Sequence, residues 1–263
     1  MLPAFSLQSF SSAVEVLMLA NEVTGREEYG WRVVSADGKP VPSSCKLPVA
    51  ADTTLLHERS ATTLVSSVET TVIVCGDHRC PVHNKSLEAW LRECRNRRTT
   101  LVGIGGGSIV LARAGLAEGR RCAIHWELFP AFSELFPGVR PTQCAFECDR
   151  DLYTCSGGVA AFDMFLRLVE RDQGTSVANR ICEKAIAWRA RSAGDRQRSP
   201  RHSQVKVNHE AVIKIIEQME ANLGDPLGVD SLAVSTGLSR RQIERLFERE
   251  LGRSPARYYL AGC

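Results

Sequence analysis

LVGIGGGSIVLARAGLAEGRRCAIHWE, residues 101–127, reads as a strand, a glycine-rich turn, a helix, a loop and a short strand that ends in His125-Trp126-Glu127. A strand that turns on glycines straight into a helix is the building unit of an α/β protein. Two readings of the turn compete. As a dinucleotide fingerprint it breaks at its third position, where Ser108 replaces glycine, and no acidic residue in a following β-unit is placed for a ribose. As a strand-to-helix elbow of the kind that presents a nucleophile, it fits better.

Outward from this stretch, residues 1–188 alternate between two periods. Apolar β-rich runs at Trp31–Ser35, Thr71–Cys75, Thr100–Ile104 and Thr142–Phe146 predict strands. Helical spacing predicts helices over Phe10–Glu22, Lys85–Arg97, Ser108–Ala114, Trp126–Leu135, Val159–Arg171 and Ser176–Trp188. The alternation implies an α/β domain with a mostly parallel sheet flanked by helices. The chain opens on a loop and a helix with no strand ahead of them, so the domain is expected to lack its first strand.

Residues 189–208 are polar and carry no apolar periodicity, which predicts a linker. Between Arg189 and Lys206, six Lys or Arg face one Asp. Beyond it the pattern is purely helical, and residues 209–263 form a small all-α unit. Within VDSLAVSTGLSRRQIERLFERELG, Ala233, Gly237 and Ile243 stand where a helix-turn-helix needs a small residue, a turn glycine and a core anchor. Ser239 is a natural N-cap for the second helix. Arg240, Arg241, Glu244 and Arg245 fall on its outward side, where Arg can take guanine bidentately and Glu can accept from a cytosine amine. The expected partner is double-stranded DNA.

Composition sets outer limits. The chain has 263 residues, 44% hydrophobic and 24% charged, with a net charge of +3, which suits two globular units. No apolar run approaches a membrane span, and MLPAFSLQSF has no basic region ahead of its apolar residues. A cytoplasmic protein without membrane contact is expected, in which the ten cysteines are free thiols and Cys75 and Cys155 act as small hydrophobes. The run CGDHRCPVH offers Cys75, His78, Cys80 and His83, but its spacing is irregular for a zinc finger. Neither metal nor cofactor is assigned.

The segment SLAVSTGLSRRQIERLFERELGRSPARYYL resembles the first helix-turn-helix of AraC-family transcriptional regulators. The family carries two such motifs joined by a long helix, so the C-terminal unit reads as the first motif only and looks truncated. LVGIGGGSIVLARAGLAEGRRCAIHWE and DLYTCSGGVAAFDMFLRLVERDQG resemble the PfpI-type, class I glutamine amidotransferase-like sensor domain of GlxA-type regulators, and RARSAGDRQRSP resembles the basic segment that closes it. The form RCAIHWE is similar to that of regulators sensing quaternary amines.

The resemblance implies a flavodoxin-like domain in which catalytic relatives carry a Cys at the elbow, a nearby His and an acidic residue after the first strand. These positions fall on Gly105, His125 and a point near Ser9. Without a nucleophile no catalytic residue is assigned, and the Ser108 hydroxyl is expected to bond locally. The domain is instead expected to bind a small-molecule effector, such as a quaternary amine or amino acid. Ser9, Gly105, Gly106, His125 and Trp126 are the candidate contacts, with glycine N–H groups holding a carboxylate and the indole facing a cation. A homodimer is expected. The alternatives are an amidase- or glyoxalase-like enzyme of the same fold, or a partial, non-functional regulator.

Overall fold

The computed structural model describes residues 1–60, 70–77, 83–97, 99–187, 193–195, 197, 209–222 and 227–260. They form two compact units, Met1–Gln197 and Arg198–Cys263. In the first, α1 (Leu7–Thr24) precedes four two-residue strands: β1 (Val34–Ser35), β2 (Val41–Pro42), β3 (Pro48–Val49) and β4 (Thr53–Thr54). Then follow α2 (Leu55–Ser60), β5 (Thr71–Gly76), α3 (Lys85–Asn96), β6 (Thr100–Gly105), α4 (Gly107–Arg113), β7 (Arg121–Ala123) and α5 (Phe129–Leu135). The unit continues through β8 (Arg140–Thr142), β9 (Phe146–Asp149), β10 (Leu152–Cys155), α6 (Ala160–Gln173) and α7 (Thr175–Lys184).

The main sheet runs β5-β6-β10-β9, with β5, β6 and β10 parallel and β9 antiparallel at its edge. Its strands are apolar on both faces. Val72, Val74, Leu101 and Leu152 turn toward α3 and α4, whereas Ile73, Val102, Ile104, Tyr153 and Cys155 turn toward α1 and α6. Burial on two faces is what a parallel sheet covered by helices requires. Ser6 caps α1 by accepting the Ser9 N–H, and Gly25 ends the helix in the left-handed conformation. Between them Ala13, Val16, Leu17, Ala20 and Val23 recur at helical spacing and are buried.

Three expectations change and one strand is new. The expected strand Thr142–Phe146 divides into β8 and β9, because Gln143 and Ala145 bond to Gln197, Asp195 and Ser156 instead of extending a ladder. The central strand β10 escapes the sequence reading: four consecutive buried residues show no alternation. Ahead of α1, the Leu2 N–H donates to the Cys75 carbonyl, the Ala4 N–H to that of Pro42, and Phe5 bridges Ser43 in parallel, so strand-like pairing does precede the first helix. The expected linker 189–208 overlaps the first unit, which holds Asp195 and Gln197 by hydrogen bonds.

The second unit comprises α8 (Glu210–Ala221), α9 (Val229–Thr236), α10 (Arg240–Leu251) and α11 (Pro255–Leu260). Val212, Ile215, Ile216, Met219, Leu232, Ile243, Phe247 and Tyr258 make its core. No helix among the described residues is long and apolar enough to cross a membrane.

Candidate functional site

Strand β6 enters α4 through Gly105, whose φ of +56° is left-handed. This is the sharp strand-to-helix elbow that the glycine run predicts. The end of β5 crowds it closely. A Cβ at Gly105 would stand 2.6 Å from the Gly76 carbonyl oxygen, at Gly106 2.1 Å from that of Asp77, and at Gly107 1.8 Å from that of Val74. Three successive glycines are therefore needed because the neighbouring backbone occupies the space of a side chain. Ser108 is buried and donates its hydroxyl to the Gly103 carbonyl at 3.2 Å, the local bond expected of it.

One elbow amide turns inward. The Gly106 N–H donates to the Gly76 carbonyl at 3.2 Å. The Cys155 thiol lies buried beside this turn, where the Gly157 and Gly105 backbones favour its thiolate slightly. Burial nonetheless pushes that thiol up to about 12, because a thiolate would lose far more solvation than the two backbones restore. Of the two amides expected to face a ligand, that of Gly106 is engaged within the protein, and both glycines supply backbone shape.

Ser9 and Gly105 come together around the turn after β10. Ser9 is buried, and its hydroxyl accepts the Gly158 N–H at 2.7 Å. A Cβ on Gly157 would lie 3.5 Å from that hydroxyl and 3.6 Å from the Gly105 Cα. Ser9 thus ties α1 to the turn beside the elbow.

His125 and Trp126 follow β7. His125 starts a short 3-10 turn, Trp126–Leu128, by accepting the Glu127 N–H on Nδ1. Its ring lies 5.5 Å from the Trp126 ring, tilted by 35°. Glu127 Oε2 is 3.8 Å from Nδ1 on a side chain that is 48% exposed, so the pair is a weak surface contact.

The loop is held by a residue that sequence reasoning missed. The Gln197 amide oxygen accepts the Trp126 N–H at 3.0 Å, while its Nε2 donates to the carbonyls of Ile124 at 2.8 Å and Cys144 at 2.9 Å. Next along, Ser156 donates both its N–H and its hydroxyl to the Ala145 carbonyl. A backbone path therefore runs from the elbow and Gly157, through Ser156 and Ala145, to Gln197 and the His125–Trp126 loop.

In the second unit, Gly237 adopts φ +68° between α9 and α10, the left-handed turn its position predicts. Ser239 caps α10 in a full capping box: its hydroxyl accepts the Gln242 N–H, and its own N–H donates to Gln242 Oε1 at 2.8 Å. Gln242 was legible as the fourth residue of Ser-x-x-Gln but was not singled out. Ile243 and Phe247 are buried, while Arg240, Arg241, Glu244 and Arg245 are exposed. Arg240 Nε pairs with Glu244 Oε1 at 3.2 Å. Among the described residues neither Arg241 nor Arg245 has an acidic partner, so both guanidinium groups are available to a polyanion.

Among the described residues no group of three or more His, Cys, Asp or Glu is placed to hold a metal. His78 and Cys80 lie outside them.

The model of the DJ-1/PfpI family matches residues 4–171, the span that contains the sheet, the elbow and the His125–Trp126 loop. The chain belongs to the DJ-1/PfpI family. Within it, the chain falls among the HTH-type transcriptional regulators. It is 40% identical to the HTH-type transcriptional regulator GbdR of Pseudomonas aeruginosa, over 99% of this chain and 69% of that protein. It is 36% identical to the regulator CdhR of the same species, over 99% of this chain and 75% of CdhR. The DJ-1/PfpI fold is also that of the crystal structure of an AraC family transcriptional regulator from Pseudomonas putida: TM-score 0.63 at 28% identity, covering 71% of this chain and 96% of that one.

Proposed function

We propose that this chain is a sequence-specific, DNA-binding transcriptional regulator whose α/β unit senses a small metabolite without covalent chemistry. One conjunction carries the reading. The elbow position that would hold a nucleophile is a glycine with a carbonyl oxygen in its side-chain space, and the same chain bears a capped helix-turn-helix with the exposed Arg241 and Arg245 on its outer face. The first removes Cys–His catalysis, and the second supplies a major-groove reader.

The effector site lies at the carboxyl end of the sheet, where open α/β sheets bind ligands. Ser9, Gly105 and Gly106 shape one side, and His125 and Trp126 the other. The indole face suits a cationic nitrogen, so the ligand class is a quaternary amine or a zwitterionic amino acid. DNA is the macromolecular partner, the chain acts in the cytoplasm, and a homodimer matches operators built of repeated half-sites.

A thermal-shift panel of betaines, carnitines and amino acids on the whole chain tests the reading. A ligand at 100 times its Kd should add about 2.7 kcal/mol of stability, and Trp126→Ala should weaken it by about 0.5–2 kcal/mol. Turnover of methylglyoxal or small amides by the unmodified chain would overturn the non-covalent reading. A ligand indifferent to both Trp126 and His125 would displace the site.

A further inference from the structure

Gln197 lies beyond residues 4–171, the span matched by the DJ-1/PfpI model, and is the last residue of the first unit. Its carboxamide is unusually committed. The oxygen takes the Trp126 N–H, and the two hydrogens of Nε2 go to the carbonyls of Ile124 and Cys144. Its own N–H donates to the Gln143 carbonyl at 2.8 Å, and two residues earlier the Asp195 carbonyl accepts the Ala145 N–H at 2.8 Å. One side chain thus reads the backbone on both flanks of His125, while its main chain is stitched along residues 143–145.

An amide is the side-chain group that meets this demand. It must accept one hydrogen bond and donate two at once. A carboxylate would place an oxygen against two carbonyls, and an alkyl chain would leave the Trp126 N–H and both carbonyls without their partner, at a cost for each buried group.

We propose that Gln197 is the positioning residue that couples the His125–Trp126 loop to the segment leading to the DNA-binding unit. A shift of Trp126 on ligand binding moves its N–H and the Ile124 carbonyl together. Gln197 then either follows or lets go, and residues 195–197 are held or released with it. This rests on the reading above that the loop belongs to the effector site.

The test uses the whole chain as wild type, Gln197→Ala and Gln197→Met, read by hydrogen exchange. Both variants should speed exchange of the Trp126 and Ala145 amides together by about tenfold or more, with the β6 amides Leu101–Ile104 unchanged. Unaltered Trp126 and Ala145 amides, or equal acceleration in β6, would overturn the proposal; the second outcome marks mere destabilisation.

A second arm adds glycine betaine, the simplest quaternary-ammonium carboxylate, at roughly 10 mM. Tryptophan fluorescence follows its binding, and tryptic cleavage between residues 189 and 206 follows its effect. Binding to the wild type should change the cleavage rate. Gln197→Ala, compared with wild type at equal ligand occupancy, should show no change in cleavage. An equal change in Gln197→Ala sinks the coupling.

If glycine betaine does not bind the wild type, that probe fails the effector reading, and a ligand-free cycle decides the coupling. Trp126→Pro deletes the N–H that Gln197 accepts. It should release the Ala145 amide in the wild-type background and add nothing in Gln197→Ala. Additive release would overturn the proposal.

Discussion

At Gly105 two demands meet. The left-handed φ disfavours any side chain, and the Gly76 carbonyl stands where a Cβ would go. Gly105→Ala should cost at least about 1–3 kcal/mol from backbone strain alone, measured by urea unfolding. A variant as stable as wild type would show that the β5–β6 approach is softer than its geometry. The thiols make a second residue-scale prediction. Cys155 is buried and pushed up to about 12, whereas the exposed Cys45 thiol is held below its ordinary value, chiefly by the Ser43 hydroxyl 3.1 Å away. The thiolate is the reacting species. Among the described cysteines, iodoacetamide at neutral pH should label Cys45 first, and its labelling should rise at a lower pH than for an ordinary thiol. Cys75, Cys122 and Cys155, all raised by burial, should label only on unfolding. Mass spectrometry of the native chain gives the order, and early labelling of Cys155 would contradict its burial.

Among the elements, α10 joins stability and recognition on one short helix. Ser239→Ala removes the cap and should cost about 0.5–2 kcal/mol of the second unit's stability, visible in thermal unfolding. Arg241→Ala and Arg245→Ala should leave stability nearly unchanged and cost about 1–3 kcal/mol on a specific site, with relaxed base preference there. Loss of affinity that is uniform across sequences would reassign these arginines to phosphates. Arg240 differs because it is paired with Glu244. Arg240→Ala should release Glu244 and change preference at the base Glu244 meets. How much was legible follows the same physics. β5, β6, α3, α4 and α6 announce themselves through strand or helical period, and Ser239, Gly237 and Gly105 through backbone demands that few residues meet. β10 does not, because a strand buried on both faces loses its alternation. Gln197 does not, because a single amide in an arginine-rich run has no period, and its three partners come from residues 124, 126 and 144. The inward turn of the Gly106 amide is not legible either: glycine fixes where the backbone can bend, but not what its N–H finds.

On the scale of the whole molecule, each unit has its own apolar core: two clusters flank the sheet in the first, and one lies between the helices of the second. An effector that binds the first should raise the unfolding temperature of that unit, with the size set by its concentration relative to Kd. Scanning calorimetry of the whole chain, with α8–α11 monitored through exchange of the Ile243 and Phe247 amides, separates the two responses. An effector that protects Ile243 and Phe247 but not Leu101 or Val102 would place the sensing function in the wrong unit.

The crowding of β5 against the elbow also bears on descent. A single codon change at Gly105 would put a thiol into the space of the Gly76 carbonyl, and the resulting protein would be less stable before it could be more reactive. A side chain could be seated there only after the end of β5 had drawn back, through other substitutions. The glycine elbow therefore works as a ratchet: with neighbouring backbone packed into the space of a side chain, substitutions around the turn are easier than any that would place a side chain on it.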